Sequence, residues 1–367
     1  MSIKYIILII LIIFFIQPTG GTWFYLYQIR WLYVLILSFL LAYVFTPVVG
    51  KIAEKYKFLD YPNERKMHKN PIPRIGGIAI FAAILIAGVR NLHFPLPIIG
   101  IFIGLTIIFL IGFFDDIKGL SAKTKLLGQI LAALVLIKFG VTISFIPEIP
   151  FERTIEVLIT IIWVIGITNA INFLDGMDGL CSGLGIISAM CFFVIAWPTR
   201  QSDLGYFTIA LVGSLLGFLP YNLKPAKIFL GDSGSTLIGF SLASIAILGT
   251  WAHKDTVKAL SIPILILGIP IFDMIYTTIS RIKNGTVKTI KGWLEYVGKD
   301  HFHHRLHKMG FNVTGAIAMI FGLNLCLGLG AIVLRETSKQ GAMLLFIQAF
   351  IIFLIITALM LHGREIE

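Results

Sequence analysis

Apolar residues in this chain come in blocks of about 16 to 20, the length of helix needed to cross roughly 30 Å of hydrocarbon, separated by short polar connections. The blocks predict membrane-spanning helices over 31–50, 76–89, 97–114, 125–142, 155–172, 180–197, 204–220, 233–250, 260–280, 313–334 and 342–361. The expected fold is all-α: a polytopic integral membrane helix bundle of about eleven transmembrane helices, one membrane domain over 1–367. A further apolar segment, 3–16, is closed by Gln17, Pro18 and the Gly20-Gly21 pair after about 14 residues, shorter than the usual span. Small residues of the kind that precede a signal-peptide cleavage site are scarce near Gln17, so residues 1–30 read better as an extra hydrophobic segment with a short crossing.

Composition agrees, with 57% hydrophobic residues, 13% charged and a mean hydropathy of +0.91, which excludes a soluble globular domain. Positive charge is unevenly placed. Alternate connections, counted from 51–75 and including the C-terminal tail, hold 20 of the 30 Lys and Arg residues when Lys125, at the start of its span, is counted with them. Cytoplasmic loops carry such an excess, so 51–75, 115–124, 173–179, 221–232 and 281–312 are expected on the cytoplasmic side. This bias, together with anionic lipid headgroups of the bilayer, accounts for the net charge of +11 without a nucleic-acid partner. The three cysteines, Cys181, Cys191 and Cys326, lie within or beside spans and form no disulfide or metal framework.

The polar residues then sort to that one side. The run Asn169-Ala-Ile-Asn172-Phe-Leu-Asp175-Gly-Met-Asp178-Gly-Leu180 follows directly on an apolar block. Even one charge at bilayer depth costs about 2.5 to 3.5 kcal/mol on insertion scales, so this cluster marks a site at the membrane surface. Its polar residues recur every third position and would form a strip along one side of a helix. Asp115 and Asp116 end the span before Lys118. Acids beside the negative end of a helix need a compensating cation, for which Mg²⁺ is a candidate, although two solvated acids that merely stop the helix would look the same. Adjacent helical residues point about 100° apart, so only one of the pair is expected to enter a site directly. In Phe229-Leu-Gly-Asp232-Ser-Gly-Ser235, Asp232 is either an ordinary N-cap or a metal ligand beside a phosphate cradle. Asp300-His301-Phe-His303-His304-Arg305 suits a diphosphate better than zinc, because no matching Cys or His pair accompanies it. Lys69, Arg74, Lys123 and Lys125 add cationic groups on the same side.

These four clusters, in this order and on one face of an eleven-span chain, resemble the polyprenyl-phosphate N-acetylhexosamine-1-phosphate transferases of glycosyltransferase family 4. The likeness runs from about Leu32 to the C-terminus, and His301-Phe-His303-His304 is closer to the WecA and TagO branch than to the MraY branch. The resemblance implies transfer of GlcNAc-1-phosphate from UDP-GlcNAc to undecaprenyl phosphate, release of UMP, and a need for Mg²⁺ or Mn²⁺. It implies a multi-pass protein of the bacterial inner (plasma) membrane that serves cell-envelope glycan synthesis from a cytoplasmic active site; a homodimer is compatible with this. Asp232 would be a metal ligand. Asp115 and Asp116 would help hold the metal and orient or deprotonate the lipid phosphate. Asn172, Asp175 and Asp178 would line the nucleotide site, with Asn222 and Phe229 against uracil. Lys69, Lys125, Arg281, His301, His303, His304 and Arg305 would contact phosphate or sugar.

The loop 281–312, with Trp293 and Tyr296 in its middle, is the expected substrate loop, where sugar selectivity would reside. Other UDP-N-acetylhexosamines and UDP-MurNAc-pentapeptide are the competing donors. A secondary transporter is the alternative of a different class, and it would show paired broken helices and charges at the midplane.

Overall fold

Hydrocarbon offers no hydrogen-bond partner, so each apolar block satisfies its backbone internally as a helix. A computed structural model describes residues 3–17, 21–62, 70–144, 151–252, 255–289, 292, 298 and 300–365. In chain order its helices are α1 (Ile3–Ile16), α2 (Thr22–Leu26), α3 (Arg30–Tyr56), α4 (Gly77–Asn91), α5 (Leu96–Lys118), α6 (Ala122–Lys138), α7 (Glu152–Phe173), α8 (Leu180–Ala196), α9 (Ser202–Asn222), α10 (Gly231–Leu248), α11 (Thr256–Ile266), α12 (Gly268–Lys283), α13 (Phe302–Lys308), α14 (Val313–Leu334) and α15 (Lys339–Glu365). All eleven expected spans coincide with helical segments. Seven helices are long and apolar enough to cross a membrane by themselves, while α4 and α8 are shorter apolar helices.

The segment expected as one straight span over 260–280 is instead two helices, α11 and α12, which meet at 77°. Proline explains the break. Pro263 sits inside α11, where it removes a backbone donor, and Pro270 falls in the first turn of α12, where a missing N–H goes unnoticed. The N-terminal segment forms the 14-residue helix α1, and Phe15 stacks on Tyr33 of α3 with ring centroids 5.5 Å apart.

At the centre of the bundle stands α10, in contact with α5, α7, α4 and α8 and buried along almost its whole length. Its Ser233, Gly234, Ser235, Gly239, Ser241, Ala243 and Ser244 are small, which lets neighbouring helices come close where apolar bulk would give no association in lipid. The outer helices show the reverse pattern. Leu158 and Ile162 of α7, Ile275 and Ile279 of α12, and Phe350, Ile351 and Leu354 of α15 are exposed apolar side chains of the kind that lipid covers. The protein is a multi-pass membrane protein.

A two-stranded antiparallel ribbon, β1 (Leu59–Asp60) with β2 (Ile72–Pro73), folds the chain after α3 back toward α4. The segment before α10 lies along this ribbon: Phe229 N–H donates to the Pro73 carbonyl at 2.8 Å, and the Phe229 carbonyl accepts from Gly76 N–H at 3.0 Å. The connections after α3, α5, α7 and α9 thereby gather at one end of the bundle.

Candidate active site

Asp115 and Asp116 occupy the last turn of α5 and, pointing in different directions, meet different partners. The Asp116 carboxylate accepts the backbone N–H of Asp232 at 2.8 Å and of Ser233 at 3.0 Å, and the Arg74 guanidinium at 3.1 Å. These two N–H groups belong to the first turn of α10, whose own N-cap residue, Leu230, has no side-chain acceptor. Asp116 therefore supplies the missing cap from another helix, with its negative charge at the favourable end of the dipole. The approach is close because Gly112, one turn earlier, has no side chain. A Cβ there would sit 2.6 Å from Ser233 Cα.

Asp115 faces the other way. One carboxylate oxygen accepts Leu120 N–H at 2.6 Å, and the other accepts the Lys125 ammonium at 3.2 Å. Lys125 lies in the first turn of α6, which Ser121 caps, and it also donates to Asp232 at 2.9 Å. A lysine at this end of a helix is disfavoured by the dipole; two carboxylates offset that. The second Asp232 oxygen receives the Asn172 amide at 3.4 Å, and Asn172 donates to Ser235 Oγ at 2.8 Å. Asp115, Lys125, Asn172 and Asp232 thus converge from α5, α6, α7 and α10.

The rest of the Asn169–Leu180 run divides between scaffold and site. Asn169 forms a reciprocal amide pair with Gln129 of α6, at 2.8 and 3.2 Å. Asp178 accepts Ala226 N–H at 3.1 Å, and buried Asn222 donates to the Ile228 carbonyl at 3.1 Å while accepting from Ser182 at 2.8 Å. Both therefore fix the 223–230 segment that carries Phe229, whose ring is half-buried. Asp175 lies in the turn between α7 and α8. Burial, with the negative charge of Asp232, Asp116 and Asp178, pushes its carboxyl up to about 8.

The histidine segment packs on this run. Phe173 and His301 have ring centroids 5.3 Å apart, and Gly176 leaves the space that the His303 imidazole fills. His303 is fully buried and neither ring nitrogen has a hydrogen-bond partner; burial, then the charges of His304 and His301, hold its pKa well below the usual range. The His304 ring lies 4.1 Å from that of His303. Arg281 grips Asp300 with two hydrogen bonds of 2.7 and 2.6 Å. Burial opposes ionisation of Asp300, yet the guanidinium wins and lowers its pKa. Arg305 is buried and points away from the cluster: it donates to the Asp300 carbonyl at 2.8 Å and to the Met360 carbonyl of α15, with its guanidinium 5.6 Å from the centroid of the Tyr276 ring. Lys69, Trp293 and Tyr296 lie outside the described residues.

Sequence reasoning missed Asp273, which is 1% exposed on α12, lies 2.6 Å from His301 Nδ1 and accepts Phe302 N–H at 2.7 Å. The available signal was a lone acid inside an otherwise apolar block, since an ionisable residue in such a place is a functional candidate by default.

No three acidic, histidine or cysteine side chains among the described residues are grouped to cage a metal ion. The Asp115 and Asp232 carboxylates on either side of Lys125 nevertheless form an all-oxygen donor pair that suits a hard cation, since Mg²⁺ is commonly held by one or two carboxylates and completed by substrate phosphates and water. Asp116 has both oxygens engaged in the cap and fits that task less well.

Helices that gather carboxylates, a lysine and histidines at one end of a lipid-facing bundle have the make-up of a membrane-enzyme site. The family model for glycosyl transferase family 4 matches residues 98–250, which carry Asp115, Lys125, Asn172 and Asp232. The chain is 35% identical over 337 residues to a probable undecaprenyl-phosphate N-acetylglucosaminyl 1-phosphate transferase of Bacillus subtilis, covering 90% of each chain. It is 33% identical to a decaprenyl-phosphate N-acetylglucosaminephosphotransferase of Mycobacterium leprae, over 77% of this chain and 78% of that one. A phospho-N-acetylmuramoyl-pentapeptide-transferase of Staphylococcus saprophyticus is 29% identical over 80% of this chain and 96% of its own. The chain belongs to glycosyl transferase family 4, within the polyprenyl-phosphate N-acetylhexosamine-1-phosphate transferases, and is a phosphoglycosyltransferase.

Proposed function

We propose that the protein transfers GlcNAc-1-phosphate from UDP-GlcNAc to undecaprenyl phosphate, giving polyprenyl-diphospho-GlcNAc and UMP, on the cytoplasmic face of a bacterial inner membrane. The observation that carries this reading is the Asp115–Lys125–Asp232 cluster, set at the membrane end of helices whose outer faces are apolar. A prenyl tail stays among such helices while its phosphate reaches the cluster, where the water-soluble nucleotide sugar arrives. The positive-charge bias of the connections supports a cytoplasmic position for this end.

In this reading a phosphate oxygen of the lipid attacks the sugar-linked phosphorus of the donor. The bond from that phosphorus to the bridging oxygen breaks, and UMP leaves. A phosphate monoester has a second pKa near 6 and is largely dianionic at neutral pH, so the acceptor needs little help from a base. The main task is to bring two anions together. Asp232 and Asp115 would hold Mg²⁺ or Mn²⁺, which when bound supplies neutralising charge to the phosphate oxygens. Lys125 adds a positive charge at the same place, and Asn172 orients the Asp232 carboxylate. Asp175 lines the nucleotide site, while Asp178 and Asn222 keep Phe229 in place to stack on uracil. His304, half-buried beside the run, contacts the diphosphate or sugar, while fully buried His303 packs against Gly176, and Lys69 adds charge from the preceding loop.

A decisive measurement is UMP release by the purified protein from UDP-GlcNAc, with and without undecaprenyl phosphate and Mg²⁺. Release that requires all three is expected; release without the lipid removes the assignment. Parallel assays with UDP-GalNAc and UDP-MurNAc-pentapeptide decide the sugar. A transporter would show paired broken spans and charges at the midplane; a single broken span, α11 with α12, is found among the described residues.

A further inference from the structure

Two side chains of α12, Asp273 and Arg281, hold His301 from opposite sides. Asp273 is 2.6 Å from Nδ1, and an Arg281 Nη2 is 3.1 Å from Nε2. All three residues are buried, at 1%, 3% and 6% exposure for Asp273, Arg281 and His301. A guanidinium can only donate and a carboxylate can only accept. The imidazole that satisfies both neighbours carries its proton on Nδ1 and its lone pair on Nε2. The opposite tautomer would set an N–H against Arg281 and a lone pair against the Asp273 carboxylate.

We propose that Asp273 is a positioning residue for phosphoglycosyl transfer, which fixes the Nδ1–H tautomer of His301 and, through its Nε2 lone pair, the orientation of Arg281. Asp300 completes the chain from the far side, with its two bonds to the same guanidinium. Asp273 also accepts Phe302 N–H, so it anchors the start of α13 and with it the register of His303 and His304. His301, with both nitrogens used, acts through Arg281 and not on the substrate. The sequence alone had put His301 beside the diphosphate together with its neighbours; the hydrogen bonds separate it from them.

The functional half of this inference rests on the proposed transfer reaction, whereas the tautomer does not. The spectroscopic test uses full-length protein with ¹⁵N-labelled histidine in detergent at pH 7.5, with the His301 signal identified as the one lost in His301→Gln. The expected signal is a protonated Nδ1 with an unprotonated Nε2. A protonated Nε2 or a doubly protonated ring overturns the proposal, whatever the substrate proves to be. Asp273→Asn, whose amide can donate to Nδ1, is expected to shift the proton to Nε2. In the kinetic arm, Asp273→Asn lowers kcat by about 10- to 100-fold, the range for losing an orienting partner, with KM for the nucleotide sugar changed less than threefold. The double variant Asp273→Asn/His301→Gln should be no slower than His301→Gln, because both act through one path. Additive losses would show that Asp273 serves general stability and would overturn the positioning role. If Asp273→Asn does not fold, the wild-type spectrum still decides the tautomer, and Arg281→Lys, expected to reproduce the kcat loss of His301→Gln without adding to it, decides the coupling.

Discussion

Asp116 caps a helix that begins 115 residues later in the chain: its carboxylate accepts the N–H of Asp232, the residue whose own side chain faces Lys125. Backbone and side chain of Asp232 are therefore fixed by two different acids, neighbours in sequence. One of these acids holds the helix, and the other faces the cluster.

Asp116→Ala should lower the stability of the protein more than Asp115→Asn does. Its loss strands two first-turn N–H groups and removes the hydrogen bond from Arg74, a cost of about 1 to 3 kcal/mol for the cap and its charge-assisted bonds. Thermal unfolding in detergent of the two variants checks this. Equal melting temperatures would remove the capping role.

Asp232→Asn should reduce turnover by about 100- to 1000-fold, the scale of losing one electrostatic contact in a phosphoryl-transfer site, while the protein remains folded. Near-normal turnover would take the metal role from this residue. Asp115→Asn should also be slow. If Asp115 deprotonates the acceptor, its defect grows toward low pH, where the lipid phosphate carries a proton; a flat pH dependence of the defect removes the base role.

Asp175 predicts a pH effect on stability. Its folded-state pKa, about 8, lies above the unfolded value near 3.9, so the stability associated with its protonated form is fully present below the unfolded value and is lost as pH rises toward 8. Compared with Asp175→Asn, which cannot ionise, the wild-type protein in EDTA should lose stability progressively as pH rises over that window and level off above it. Denaturation curves of both proteins at pH 6, 7, 8 and 9 measure the difference. Mg²⁺, by neutralising the nearby carboxylates, should narrow it.

Arg305→Met should loosen α15 without harming donor binding. The guanidinium ties the Asp300 carbonyl to the Met360 carbonyl, and the loss of those bonds costs about 1 to 3 kcal/mol. Faster hydrogen exchange in α15 with an unchanged KM for the nucleotide sugar is expected. A raised KM at normal stability would return Arg305 to the substrate.

Much of the fold was legible because hydropathy is a local property: a block of apolar residues must become a helix wherever in the bundle it stands. The exception at Leu267 has a signal in Pro263, Gly268 and Pro270, but a run of apolar residues conceals it, since the length of the block alone suits one straight span. Candidate residues were legible for a similar reason, as charge and carboxamide stand out against apolar sequence. Their tasks were not. Asn169 and Asn172 sit three residues apart on α7 and read alike, yet one pairs with Gln129 and the other with Asp232. Asp273 stood alone, without the clustering that drew notice to the others.

The sequence by itself determined an all-helical membrane protein with its polar chemistry grouped on a few connections, because the energetic cost of polar groups in lipid acts residue by residue. Only the tertiary structure decided which acid does what. Asp115 and Asp116 are chemically identical neighbours, and they differ because successive helical side chains point about 100° apart, one toward Lys125 and the other toward the unpaired N–H groups of α10.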